Sequence, residues 1–244
     1  MSANSLLSTK SIDPQDRLIF ALDVPTIGEA REWIARLGEA VTFYKLGLEF
    51  CMGGHYFELI AELRAAGKKV FADLKFYDVP ATVRGAVANL ARAGAECCTL
   101  HGVSSIYREA VQVRAGMKLL AVTVLTSMDE SDLAELGWRG GPVEELVSLR
   151  ARAAVMAGID GLICSAQEAA RLRRELGPEP LLITPGIRAA SERGGDDQKR
   201  TMTLEEAFRA GADHIVVGRP IRNAKDPRAA AEAMQAEIAR LFPA

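Results

Sequence analysis

With 244 residues, 49% of them hydrophobic and 25% charged, the chain has globular composition. Its length fits either two small domains or one strand–helix barrel of about 250 residues. A formal net charge of −2 excludes a general electrostatic affinity for nucleic acid or for an anionic membrane, so any anionic ligand must meet local cations.

Met1 to Asp16 is polar and rich in Ser, without the apolar core of a secretory signal. It is expected as a flexible tail (1–16) ahead of one domain (17–244). Arg17 to Asp23 is a short apolar run ending in a carboxylate, stopped by Pro25 and Thr26; Ile27, Ala30, Ile34 and Leu37 then fall at helical spacing. Thr42 to Gly47 is a second strand carrying Lys45, and a helix from His55 to Ala66 ends at Gly67. Val70 begins a third strand that continues as Asp73-Leu74-Lys75-Phe76-Tyr77-Asp78-Val79-Pro80, with Ala81 to Ala93 as its helix. Strand four (Glu96–His101) and a helix (Ser104–Ala115) precede strand five (Lys118–Val124). A long connection, Leu125 to Pro142, holds a small helical piece around Asp129 to Leu136 and leads to a helix over Val143–Ala157. Strand six (Asp160–Cys164), a helix (Ala166–Leu176) and strand seven (Leu181–Thr184) follow. Pro185 to Thr201 is a polar loop with Gly194-Gly195 at its middle. A short helix (Leu204–Ala210), strand eight (Asp213–Val217) and a helix over Ala229–Leu241 come after it.

Eight strand-then-helix units at roughly 28-residue spacing argue for parallel strands joined by right-handed crossovers. The fold expected is α/β, a single-domain (β/α)8 TIM barrel. A dinucleotide-type open sheet wants a Gly-rich turn after its first strand, and Asp23-Val24-Pro25-Thr26 is not one. Cys51, Cys97, Cys98 and Cys164 have no CxxC spacing, and His55, His101 and His214 no metal-ligand spacing. No apolar run reaches membrane-spanning length, and a reducing cytoplasm suits the cysteines.

In such barrels the chemistry lies at the C-terminal ends of the strands, where Asp23, Lys45, Asp73, Lys75 and His101 fall. Residues i and i+2 of a strand share a face, so Asp73 and Lys75 are expected to project together. Charges at the end of a buried strand must be desolvated and paired, whereas a solvated edge strand would carry them freely. Their company at the barrel mouth favours function. His101 is open between a general acid/base and a structural histidine. Thr126 and Ser127 are open between binding a heterocycle and capping the helix that follows. Pro185-Gly186-Ile187-Arg188 and Gly218-Arg219-Pro220, after strands seven and eight, read as a phosphate site: the glycines admit close backbone approach and Arg219 a bidentate contact. Arg188 and Gln198 bracket a loop long enough to fold over a ligand.

These motifs, with Ala21-Leu22-Asp23, Leu125-Thr126-Ser127 and Val217-Gly218-Arg219-Pro220 in this order, make a chain that resembles the orotidine 5′-phosphate decarboxylase family over residues 17–241. One departure is the turn after strand four, where His101-Gly102-Val103-Ser104-Ser105 replaces the family's frequent Gly pair. The resemblance implies decarboxylation of orotidine 5′-phosphate to UMP without cofactor or metal, Lys75 protonating C6 inside a Lys45–Asp73–Lys75–Asp78 charge array. It implies Asp23 and Lys45 on the ribose and Arg219, Gln198 and Arg188 on the phosphate, with Thr126, Ser127, Pro185 and Gly218 completing the substrate contacts. Asp78 and Thr82 are implied to cross a homodimer interface into the partner's site. Two alternatives stand beside it. One is a Mg²⁺-dependent sugar-phosphate decarboxylase or aldolase of similar barrel type, with a carboxylate near the end of strand two where this chain has Lys45. The other is a UMP-binding barrel without turnover.

Overall fold

In the computed structural model, which describes residues 6–187 and 202–243, eight parallel strands close into a barrel in sequence order. They are β1 (Leu18–Ala21), β2 (Phe43–Gly47), β3 (Lys69–Phe76), β4 (Cys97–Leu100), β5 (Lys118–Val122), β6 (Gly161–Ile163), β7 (Leu181–Thr184) and β8 (His214–Val217). Alternate residues of each strand enter two buried layers, so the runs are apolar almost throughout. Ile19, Phe43, Phe71, Leu120, Ile183 and Val216 fill the barrel interior, while Leu18, Phe20, Tyr44, Leu46 and Val70 pack outward under the helices. Gly161 is dictated by this packing: a Cβ there would come within 2.6 Å of Leu181 Cβ.

The strands alternate with α1 (Ile27–Leu37), a short α2 (Leu48–Met52) before α3 (Tyr56–Ala65), α4 (Pro80–Ala93) and α5 (Ser104–Val111). A short α6 (Glu130–Glu135) precedes α7 (Val143–Met156), and α8 (Ala166–Leu176), α9 (Leu204–Arg209), α10 (Arg219–Arg222) and α11 (Pro227–Leu241) follow. Their starts follow from local chemistry. Thr26 and Asp226 accept the N–H groups of Glu29 and Ala229, and Pro80 and Pro227 occupy first turns, where no N–H is needed. Neither α2 nor α10 was expected, because five and four residues are too few to show a period. Among the described residues no helix is long and apolar enough to cross a membrane.

The expected flexible tail needs correction over residues 6–16. Leu6 N–H bonds to Arg209 O at 3.0 Å, Ser8 donates to Asp213, and Lys10 Nζ lies 3.0 Å from Asp213 Oδ2. A 3-10 turn (Pro14–Arg17) then feeds β1. Arg17 is buried, donates to Asp213 O and Lys10 O, and lies 3.6 Å over the Phe242 ring. The segment is ordered because Asp213, fully buried at the start of β8, needs donors; Arg173 and the Leu182 N–H, both at 2.8 Å, supply others. This network sits on the barrel face away from the strand C-termini.

Candidate active site

The strand ends deliver Asp23, Lys45, Asp73 and Lys75 to one cavity of about 440 Å³. Ala21 pairs with Lys45, and Gly47 with Asp73, so these side chains emerge at the same end of β1, β2 and β3. Lys45 Nζ lies 2.9 Å from Asp23 Oδ1 and 3.4 Å from Asp73 Oδ2, and Lys75 Nζ lies 2.9 Å from Asp73 Oδ1. The charges alternate along the row: Asp23, Lys45, Asp73, Lys75. Thr99, from β4, donates its hydroxyl to Asp73 Oδ1 at 2.9 Å and accepts the Lys75 backbone N–H at 2.9 Å.

Asp73 and Lys75 do meet, though not through a regular pleat. β3 pairs with β4 at Ala72↔Cys98 and next at Phe76↔Leu100, so four steps along β3 answer two along β4. Within this break Lys75 adopts φ 48°, a left-handed conformation costing a non-glycine residue about 1 kcal/mol. The irregularity re-aims the lysine, as bulges beside active sites commonly do.

Burial alone would push the Asp73 carboxyl up. The ammonium groups of Lys45 and Lys75, with hydrogen bonds from Lys75 and Thr99, outweigh it and hold Asp73 below the ordinary carboxylate range. Burial likewise works against the Lys45 ammonium, and Asp73 and Asp23 overcome it, so Lys45 is held above the ordinary lysine range. Both groups are charged at neutral pH although their side chains are only 13% and 12% exposed.

Thr126, Ser127, Pro185, Gly218 and Arg219 line the same cavity. Gly186 turns the chain there with φ 80°, and Ile187 forms a bridge with Met202 that draws the described ends of the polar loop together. Arg188 and Gln198 lie outside the described residues. Asp78 and Thr82 do not line the cavity of their own chain: Asp78 is exposed, accepts the Val79 N–H at 2.6 Å, and shares with Thr82 an adjoining depression that Lys75 also lines. His101 is half-buried just beyond β4, with its ring edge-on to Tyr77 at 5.6 Å. Burial, then Arg150 and Lys75, hold its imidazole below the usual histidine range, and it does not line the cavity, which favours the structural reading.

Thr99 and Arg222 were missed from sequence. Thr99 shares a strand face with Cys97, which enters the barrel interior, and that parity was the available signal. Arg222 lines the cavity three residues after Arg219, on the same short helix.

A closed (β/α)8 barrel with paired lysines and aspartates at its strand ends defines a barrel enzyme whose chemistry is carried by charged side chains. The sequence model of the Orotidine 5'-phosphate decarboxylase / HUMPS family matches residues 16–234. Orotidine 5'-phosphate decarboxylase of Methylococcus capsulatus is 50% identical over 240 residues, covering 98% of this chain and 99% of that protein. The enzyme of the same description from Xanthomonas campestris pv. campestris is 52% identical over 225 residues, covering 91% and 92%. The crystal structure of orotidine 5'-phosphate decarboxylase from Lactobacillus acidophilus superposes with a TM-score of 0.80 at 35% identity, covering 94% of this chain and 100% of that one. The chain belongs to the orotidine 5′-phosphate decarboxylase / HUMPS family.

Proposed function

We propose that this protein converts orotidine 5′-phosphate to UMP and CO₂ without cofactor or metal. The observation that carries this reading is the alternation of Asp23, Lys45, Asp73 and Lys75 along one cavity wall, with its two central members, Lys45 and Asp73, largely buried. Breaking the C6–carboxylate bond releases CO₂ and leaves its electron pair on C6 as a vinylic carbanion with little delocalisation. With no electron sink, preorganised charge must stabilise it. The Lys75 ammonium faces the developing carbanion, gives C6 a proton, and is reprotonated from solvent. Asp73 lies beside the substrate carboxylate, and Lys45 keeps Asp73 ionised and aimed. Asp23 and Lys45 bind ribose hydroxyls; Thr126 and Ser127 bind the base; Pro185 and Gly218 wall the nucleotide; Arg219, Gln198 and Arg188 bind the phosphate. Remote phosphate binding supplies energy to the reacting end.

Asp78 and Thr82 act in this reading across a homodimer interface, Asp78 joining the partner's Lys75. Tyr77, Val79 and Val103 flank them at 70%, 62% and 59% exposure, apolar surface suited to burial against a second copy.

The test is the loss of orotidine 5′-phosphate absorbance. Wild type is expected to turn over with EDTA present, and Lys75→Ala to lose at least about 10³-fold in kcat. Retained activity in Lys75→Ala would sink the mechanism. A metal-dependent sugar-phosphate enzyme is disfavoured because the Lys45 ammonium stands between Asp23 and Asp73, where a divalent cation would have to sit. Dependence on added Mg²⁺ would reinstate it, and UMP binding without turnover would indicate a silent nucleotide barrel.

A further inference from the structure

Arg222 has no part in the reading above. It ends α10, and its guanidinium lines the cavity with Arg219. Its Nη2 donates to the carbonyl of Ala21, at the end of β1, at 3.2 Å, and stands 3.8 Å from Asp23 Oδ2. The other carboxylate oxygen of Asp23 receives Lys45 at 2.9 Å. Asp23 therefore has a cation facing each oxygen while 41% of its side chain stays open.

The Arg222 backbone is fixed to the turn after β8. Its N–H and that of Ile221 both bond to Gly218 O, at 2.9 and 3.1 Å. That turn lies against β1: a Cβ on Gly218 would come within 3.3 Å of Ala21 Cβ. Arg222 Nε is buried and has no hydrogen-bond partner among the described residues.

We propose that Arg222 is a positioning residue that ties the turn bearing Arg219 to the Asp23 carboxylate and sets the angle at which Asp23 accepts sugar hydroxyls. A carboxylate bonded at one oxygen can still rotate about its Cβ–Cγ bond; the guanidinium held 3.8 Å from the second oxygen biases that rotation through its charge. Anchored on the Ala21 carbonyl, Arg222 makes the sugar end and the phosphate end of the site one rigid unit. This inference rests on the assignment of Asp23 to the ribose.

Calorimetric titration with UMP and with 2′,3′-dideoxy-UMP, which lacks the sugar hydroxyls, tests it. Wild type, Arg222→Ala, Arg222→Lys, Asp23→Ala and the double variant Asp23→Ala/Arg222→Ala are compared. Arg222→Ala is expected to weaken UMP about tenfold, as for one charge-assisted contact, and dideoxy-UMP less than about twofold. In the Asp23→Ala background its further effect should fall below about twofold, since the two residues act as one unit. Arg222→Lys, which keeps the charge but not the fork, should recover part of the loss. Equal losses for the two ligands would overturn the proposal and assign Arg222 to phosphate directly; full additivity in the double variant would overturn it too. Should Arg222→Ala fail to fold, Arg222→Lys and Arg222→Gln carry the same comparison. Absence of UMP binding by wild type would remove the nucleotide reading itself. Intact wild-type binding with Arg222→Ala unchanged would remove only the role of Arg222.

Discussion

Thr99 holds both members of the Asp73–Lys75 pair, one through its hydroxyl proton and the other through its oxygen. Thr99→Val keeps the volume and removes both bonds. We expect kcat to fall about 10- to 100-fold with KM little changed, because the loss falls on the charge array rather than on the nucleotide's distal contacts. Thr99→Ser should retain most activity, and steady-state kinetics on the three proteins decides it. A second prediction comes from the φ of 48° at Lys75. Glycine normally stabilises less than alanine, but in a left-handed position the order reverses. Lys75→Gly should therefore be more stable than Lys75→Ala by about 1 kcal/mol, with both inactive; urea unfolding of the pair checks this. The charges themselves were legible, since Asp73 and Lys75 interrupt an apolar run. Their partners were not: threonine is an ordinary strand residue and an arginine in a short helix reads as solvated, until the barrel closes and brings β1, β4 and β8 to one cavity.

Among the elements, the eight strands could be read from continuous apolar runs, and the principal helices from apolar spacing that is long enough to show its period and often ends at a glycine. The segment before β1 could not, for its order comes from a carboxylate some 200 residues away. Burial alone would raise the Asp213 carboxyl; the Ser8 hydroxyl, Arg173, the Leu182 N–H and Lys10 together hold it below its ordinary 3.8. The folded state thus binds this proton less tightly than the unfolded chain. The stabilisation is present above pH 3.8 and is lost as pH falls through the lower folded value. Asp213→Asn is expected to cost about 3 kcal/mol at pH 7. Its deficit relative to wild type should narrow as pH is lowered below that of the free carboxyl, as followed by urea titrations; a gap independent of pH would refute the linkage. Removing residues 1–10 deletes two of these donors and should lower Tm by several degrees while leaving KM unchanged, since the network lies away from the cavity.

At the level of the whole molecule, Asp23, Lys45, Asp73 and Lys75 of one chain share the cavity, and Asp78 faces out. If two copies complete each other's sites, mixing Lys75→Ala chains with Asp78→Ala chains should restore up to one intact site per mixed dimer. Recovery of no activity would reject the shared site. The first and last described stretches lie close to one another in the barrel. Leu6 rests on Arg209, and Phe242 lies under the Arg17 guanidinium, both on the face opposite the cavity mouth. A second catalytic module, an affinity handle or a surface tether joined beyond these stretches would therefore approach from the floor of the barrel, away from the cavity mouth. Fusions at the two ends should show the same kcat/KM as the chain alone.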